Sequence, residues 1–318
     1  MELPAEALPA WFVLLAAFLF GAAWGSFFNV AIYRWPRGMS VVTPPSTCPS
    51  CGALIPARHN VPILGYFLLR GKTACCGKRL SPRYALVELL TALLSMAVAR
   101  RFFLDAPPGS TVLDATLMTG LMFLFLGGLV IITFVDLERM EIPDEVSLPC
   151  AAIGLATANL RDPHAIADYA LGAGGGYLVI QLVFVWGYER LTGRRGMGEG
   201  DSKLLLMIGA FVGWQGAIFA VVAGSMQGIL VSAYALITGT PLGPDLDALE
   251  AEERERLGLP EPDPEEPDES DYHEEPEPAY FGHLKLPFGP LLALGAIEYV
   301  FFGTRAIETW LNLVGGWF

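Results

Sequence analysis

Apolar runs near residues 9–33, 84–104, 113–135, 146–160, 167–188, 202–214, 217–238 and 287–303 dominate this chain of 318 residues. In lipid, backbone N–H and C=O groups must pair within the segment, so runs of this kind fold as helices. An untilted crossing needs roughly 20 residues, and several of these runs are shorter, so their limits are soft by a few positions. The expected fold class is an all-α polytopic membrane protein of about eight transmembrane helices. The hydrophobic share of 53% excludes an ordinary soluble domain. The first run has no small-residue cleavage site after a short core, and it is expected to be a retained span.

Basic residues in short loops set the expected orientation. The loop after the first run carries Arg34, Arg37, Arg58, Arg70, Lys72, Lys78, Arg79 and Arg83 and no acid. The loop before Asp201 carries Arg190, Arg194 and Arg195. The turns at 105–112 and 214–217 have no Lys or Arg, and 160–166 has only Arg161. Both basic loops are therefore expected in the cytoplasm, with the N-terminus outside. The formal charge of −13 comes largely from one Glu-, Asp- and Pro-rich stretch, 245–277. That composition cannot bury a core, and segment 245–280 is expected to be a disordered, solvated cytoplasmic loop. Lipid is the expected environment, and no nucleic-acid partner is expected.

Two acids stand at the ends of apolar runs. Asp136 closes the run from Thr119 to Val135, and Asp201 opens another inside Gly196-Met197-Gly198-Glu199-Gly200-Asp201-Ser202-Lys203-Leu204. On the expected topology both lie at the cytoplasmic face. A snorkelling acid or a helix cap explains either one alone, but two on one face suggest a catalytic pair. Gly198 and Gly200 would let backbone bend tightly and approach a substrate strand. Paired carboxylates hydrolyse an amide when one is ionised and the other protonated. The helix ends suggest Asp201 as base, beside a positive helix N-terminus, and Asp136 as acid, beside a negative C-terminus.

Four of five cysteines fall in one polar loop, a spacing that favours metal over disulfides. Cys48-Pro49-Ser50-Cys51-Gly52 is half of a zinc ribbon. The other half reads Thr73-Ala74-Cys75-Cys76-Gly77, with Thr73 where a cysteine is expected. Three arrangements stay open: Cys48, Cys51, Cys75 and Cys76 holding zinc in altered geometry, three thiolates with His59 or water, or four reduced thiols. Cys150 lies in an apolar run and is read as core.

These segments together resemble the prepilin peptidases, or type IV leader peptidases, of the GxGD aspartic protease class, over nearly the whole chain. The resemblance rests on Gly25-Ser26-Phe27-Phe28-Asn29-Val30 with Tyr33-Arg34, and on the cysteine loop. It continues with Asn60-Val61-Pro62, Ser81-Pro82-Arg83-Tyr84 and Val87-Glu88-Leu89. Asp136-Leu137-Glu138 with Ile142-Pro143-Asp144 follows, then Gly198-Glu199-Gly200-Asp201 with Lys203-Leu204, and finally Pro287-Phe288-Gly289-Pro290. It implies cleavage of a basic leader after glycine, from type IV prepilins or type II secretion pseudopilins, at the cytoplasmic face of the bacterial inner membrane. It also implies N-methylation of the new terminus with S-adenosylmethionine as methyl donor. Thr73 and the acidic insertion depart from the family pattern.

Supporting roles are weaker. Asp144 is read either as the cap of the next run or as part of the site. Lys203 is expected to pair with Asp201 or contact substrate carbonyls. Glu88 is expected either to pair with Arg83 or to bind the substrate amine or methyl donor. Asn29 is expected to bond between helices, and Glu298 to make an interior polar contact. Gly172-Ala173-Gly174-Gly175-Gly176 reads as helix packing rather than cofactor binding. The expected organisation is 1–104, with the metal and methyl-transfer region in loop 34–83; a protease core at 105–238; the acidic loop at 239–286; and a last span in 287–318. The competing readings are a transporter with acids spread through the membrane depth and a membrane scaffold indifferent to Asp136.

Overall fold

The computed structural model describes residues 4–48, 50–193, 198–240, 286–303 and 309, with scattered positions between 242 and 258. The acidic segment 245–280 lies mostly outside the described residues. Among the described residues the framework is helical, with isolated bridges and no named strand. The helices are α1 (Ala10–Arg34), α2 (Leu64–Leu68), α3 (Arg83–Ala99), α4 (Val112–Arg139), α5 (Asp144–Ala156), α6 (Ala158–Arg161), α7 (Ile166–Val179), α8 (Tyr188–Thr192), α9 (Glu199–Thr238) and α10 (Gly289–Glu298). Wider-wound turns extend α3 to Leu104, α7 to Gly187 and α10 to Gly303.

Among the described residues, four stretches are long and apolar enough to cross a membrane: Ala10–Arg37, Val112–Arg139, Ile166–Thr192 and Glu199–Thr238. The expected runs at 84–104, 146–160 and 287–303 form shorter helices: α3 has 17 residues, α5 has 13 and α10 has 10. Large apolar side chains face outward along α1 and the end of α9, including Trp11, Leu19, Leu230 and Ile237. Such a surface suits lipid rather than water.

The 40 residues of α9 are two helical arms. Gly213, at φ 73° and ψ −177°, breaks the helix in a backbone region essentially reserved for glycine. The first arm runs away from Asp201 along α4, where Phe211 stacks on Phe125 with ring centroids 4.5 Å apart. The second arm returns beside α10, so that Ala220 meets Gly295 and Gly224 meets Leu291. Gly289, at the start of α10, touches Asp136, so the second arm comes back toward the level of the aspartates. The runs expected at 202–214 and 217–238 are these two arms.

The carbonyls left open at the break are capped from a distance. The Arg161 guanidinium donates to Phe211 O at 2.5 Å, to Ala210 O at 2.9 Å and to Gly154 O, and it lies over the Tyr169 ring. Orphan carbonyls at a helix C-terminus need such partners where water is excluded. Alongside, α7 packs on the first arm through glycine. A Cβ at Gly209 would lie 2.2 Å from the Gly172 backbone, and one at Gly176 would lie 2.9 Å from Leu205. Small residues permit this approach in lipid, where helices gain little from hydrophobic burial against one another. The glycine run of α7 thus serves packing, as expected.

Candidate active site

Helix α4 begins in a capping box, Thr111 with Asp114, and ends at Met140, whose positive φ of 54° turns the chain into Ile142-Pro143. Asp136 lies in its last turn, 5% exposed. Asp201 lies in the first turn of α9 behind the extended Gly198, 8% exposed. Both aspartates line one open cavity of about 800 Å³, with Gly198, Gly200, Trp35 and Phe288 among its walls. Two acids 65 positions apart in sequence are thus brought to one site, as the paired-carboxylate reading requires.

Gly289 was quoted in the sequence only as part of the start of the last span, yet its N–H donates to Asp136 Oδ2 at 2.9 Å. A Cβ there would lie 2.6 Å from that oxygen, so only a bare backbone lets the amide reach the carboxylate. The contact removes the asymmetry expected from the helix ends. Asp136 ends α4, but it also faces the N-terminal amides of α10, so each aspartate sits at a helix N-terminus. Helix dipoles therefore do not assign base to Asp201 and acid to Asp136. A Cβ at Gly200 would meet Ile142 at 2.9 Å and wedge α9 away from the 140–143 turn.

Lys203, Asp144 and Glu88 each take a partner distant in sequence. Lys203 holds neither Asp201 nor open space; its Nζ donates to both carboxylate oxygens of Asp144, at 2.7 and 2.8 Å. Residues two apart on a helix point to different faces, which separates Lys203 from Asp201. Asp144 makes no capping bond, because Pro143 occupies the N-cap position of α5. Glu88 does not pair with Arg83. Its Oε2 accepts the Ile63 N–H at 2.6 Å, while Arg83 reaches across to Glu138 on α4. Asn29 does bond between helices, donating from Nδ2 to Tyr84 O at 2.9 Å. Glu298 accepts from Gln227, and Cys150 is buried in the core.

The cysteine loop folds into two matching knuckles. Cys48 N–H donates to Ala53 O and Gly52 N–H to Cys48 O; Thr73 N–H donates to Lys78 O and Gly77 N–H to Thr73 O. Gly52 and Gly77 take left-handed φ of 69° and 70°. Thr73 thus stands where Cys48 stands in the first knuckle, and Cys75, inside the same turn as Cys76, supplies the fourth sulfur. All four Sγ atoms lie within 4.8 Å of one another, with Cys48–Cys76 at 3.8 Å and Cys51–Cys75 at 3.4 Å. Thiolates about 2.3 Å from one tetrahedral ion sit about 3.8 Å apart, so the donor set fits zinc.

Burial pushes the Cys48 thiol up, but the amides of Ser50 and Cys51 and the neighbouring thiols outweigh it and bring it down to about 6. Bonds to Cys51, then Cys48, push the Cys75 thiol up to about 12. The Thr73 hydroxyl, 3.1 Å away, leads in lowering Cys76. Two low and one high thiol share limited negative charge; a divalent ion would ionise them all.

A second cavity, about 340 Å³, lies between these knuckles and the ends of α1 and α3. Tyr33 and Arg34 line it, and Trp35 and Pro36 line the aspartate cavity, so both open at the same end of the helices.

The sequence carries two family matches in this same order. The family described as Bacterial Peptidase A24 N-terminal domain matches residues 19–102, over the knuckles and the smaller cavity. The Type IV leader peptidase family matches residues 122–233, over both aspartates. A prepilin leader peptidase/N-methyltransferase of Myxococcus xanthus strain DK1622 is 33% identical over 339 aligned residues, covering 97% of this chain and 95% of that protein. Proteins of the same description from Aeromonas hydrophila and Klebsiella pneumoniae are 37% and 38% identical, covering 70% and 62% of this chain and 81% and 84% of theirs. No solved structure matches the chain. On these matches, and on a fold that brings its two motif aspartates into one cavity, the chain belongs to the type IV leader peptidase family.

Proposed function

We propose that this protein is a prepilin leader peptidase and N-methyltransferase whose hydrolytic pair is Asp136 and Asp201. The observation that carries the reading is the shared cavity into which both carboxylates open from separate helix ends. Peptide hydrolysis without a nucleophilic side chain needs an activated water and a polarised carbonyl. One ionised carboxylate takes the water proton, and its protonated partner donates to the carbonyl oxygen. Like charges that share one cavity resist double ionisation, and hydrolysis by such a pair needs one proton between the two acids. The Gly289 amide fixes one oxygen of Asp136 and orients the other. The Lys203–Asp144 pair, itself on the cavity wall, braces α5 against α9. Gly198 lends a bare edge to the same wall.

The topology we infer has eight spans, the two arms of α9 counting separately, with both cavities at the cytoplasmic face of a bacterial inner membrane. The basic loops support this orientation. Substrates are type IV prepilins or type II secretion pseudopilins, cut after glycine. Residues 1–104 form the methyl-transfer and metal unit, 105–238 the protease core, 239–286 an acidic connector and 287–318 the last span. Cys48, Cys51, Cys75 and Cys76 hold zinc in a structural role, since a full thiolate shell leaves no open position for chemistry. S-adenosylmethionine, when bound, supplies the methyl group to the new N-terminal amine.

The test is cleavage of a synthetic prepilin segment with a glycine–phenylalanine junction by the purified protein in detergent. Mass spectrometry follows with and without S-adenosylmethionine. Cleavage lost in Asp136→Asn and in Asp201→Asn, with a methyl mass shift in the wild type, supports the reading. A well-folded wild type that does not cleave overturns it.

A further inference from the structure

Helix α2 turns an apolar face outward. Gly65, Tyr66 and Leu69 face the smaller cavity, and a Cβ at Gly65 would lie 2.6 Å from His59 O. Leu64, Phe67 and Leu68, three and four positions apart, share the other face. They are 59%, 66% and 76% exposed, an apolar patch that water does not suit. A backbone contact fixes the depth of this patch. The Ile63 N–H, just before α2, donates to Glu88 Oε2 at 2.6 Å, in the second turn of α3. On that same stretch of α3, Leu86, Leu89 and Leu90 face outward. Helix α2 therefore begins level with the first lipid-facing turns of α3.

The chain that leaves α2 is basic. Arg70, at a left-handed φ of 54°, and Gly71 turn it back into the second knuckle. Lys72 then forms a backbone bridge with Arg79, next to Lys78. All four cations are exposed, and among the described residues none is held in an ion pair. Residues 34–83 contain no acid to neutralise them. Like charges opposite one another across a bridge repel, so this knuckle favours anions beside it.

We propose that α2 and the second knuckle form an in-plane anchor on the anionic cytoplasmic leaflet. Leu64, Phe67 and Leu68 lie among the acyl chains, and Arg70, Lys72, Lys78 and Arg79 meet the phosphates of anionic phospholipid. The anchor uses the cytoplasmic orientation proposed above and neither of the two activities. A basic prepilin leader would be repelled by the same charges. The acidic stretch 245–277 matches the charge but offers little apolar surface for the three exposed side chains. Because the inner face of α2 walls the smaller cavity, lipid on its outer face holds that wall in place.

The test is cross-linking of photoreactive phosphatidylglycerol or phosphatidylcholine to the full chain, followed by peptide mapping. The protein sits in nanodiscs of the two lipids in equal parts. Phosphatidylglycerol label should fall in 61–80 and exceed phosphatidylcholine label there. Arg70→Gln, Lys78→Gln and Arg79→Gln together should lower it about tenfold or more. Hydrogen exchange over 64–69 in the unaltered protein should be slower in these discs than in phosphatidylcholine alone, which keeps the anchor testable if the variant misfolds. Equal labelling by the two lipids, no label in 61–80, or a folded triple variant labelled like wild type overturns the anchor. So do cross-links from 61–80 to 245–277 in place of lipid. Each of these outcomes leaves cleavage and methylation standing.

Discussion

Arg83 of α3 and Glu138 of α4 form an ion pair that ties the cysteine-bearing part of the chain to the part that carries both aspartates. Glu138 is two residues from Asp136, and Arg83 opens the helix that bears Glu88. The pair joins α3, which lends Tyr84 and Glu88 to the smaller cavity, to α4, which lends Val135 and Asp136 to the larger. It is partly exposed, at 19% and 33% of the side chains, so its worth in stability is about 1 kcal/mol or less. Its position should matter more. Arg83→Gln and Glu138→Gln are expected to lower the melting temperature by a few degrees. Each should slow methylation of a cleaved peptide, and the double variant should be no worse than either single. A double-mutant cycle on melting temperature and methylation rate checks this.

Removing either carboxylate should abolish hydrolysis. Asp136→Asn and Asp201→Asn are each expected to reduce cleavage by about 10²–10⁴-fold, the usual worth of a positioned acid or base. Methylation of a peptide already carrying a free N-terminus should persist, since neither residue lines the smaller cavity. Supplying such a peptide to each variant and following the methyl mass shift separates the two activities.

The Gly289 contact makes a sharper prediction. Gly289→Ala places a carbon 2.6 Å from Asp136 Oδ2, so the carboxylate or α10 must shift. Cleavage should fall by about 10-fold or more while the protein stays folded, because a displaced catalytic group loses its alignment. Wild-type cleavage by a folded Gly289→Ala protein would remove the role assigned to this amide.

The knuckle symmetry predicts a rescue. Cys75→Ala should lose bound zinc, measured as metal per chain after dialysis. Thr73→Cys added to it should restore one zinc, because residue 73 holds the backbone place that Cys48 holds in the first knuckle. Zinc removal by chelator should impair methylation before cleavage, since the knuckles wall the smaller cavity and not the larger.

At the break in α9, Gly213→Ala is expected to cost about 1–3 kcal/mol, the penalty for a side chain in that backbone region. Arg161→Met should cost a similar amount by exposing the Ala210 and Phe211 carbonyls to an apolar interior. Thermal unfolding in detergent measures both.

Much of this site was legible in one dimension. Asp136 and Asp201 stood out because acids at the ends of apolar runs are costly and therefore informative. The knuckle cysteines were legible from local spacing, and their four sulfurs cluster despite Thr73. The partners of those residues were not legible. Lys203 and Asp144 are 59 positions apart, and Asp136 and Gly289 are 153 apart; only helix packing brings them together. The pairings inferred from nearness in sequence, Lys203 with Asp201 and Glu88 with Arg83, failed because residues two or five apart on a helix face different ways. The reversal at Gly213 was visible as a gap between two apolar runs, although the residues on either side stay helical.

The amide that Asp136 accepts arrives late. During synthesis both aspartates are made long before residue 289, and until then one carboxylate lacks its backbone partner. On the proposed reading, proteolytic competence waits until the helix that begins at Gly289 has inserted beside α4. A chain in the membrane before that helix is made carries both aspartates without the amide that aligns one of them.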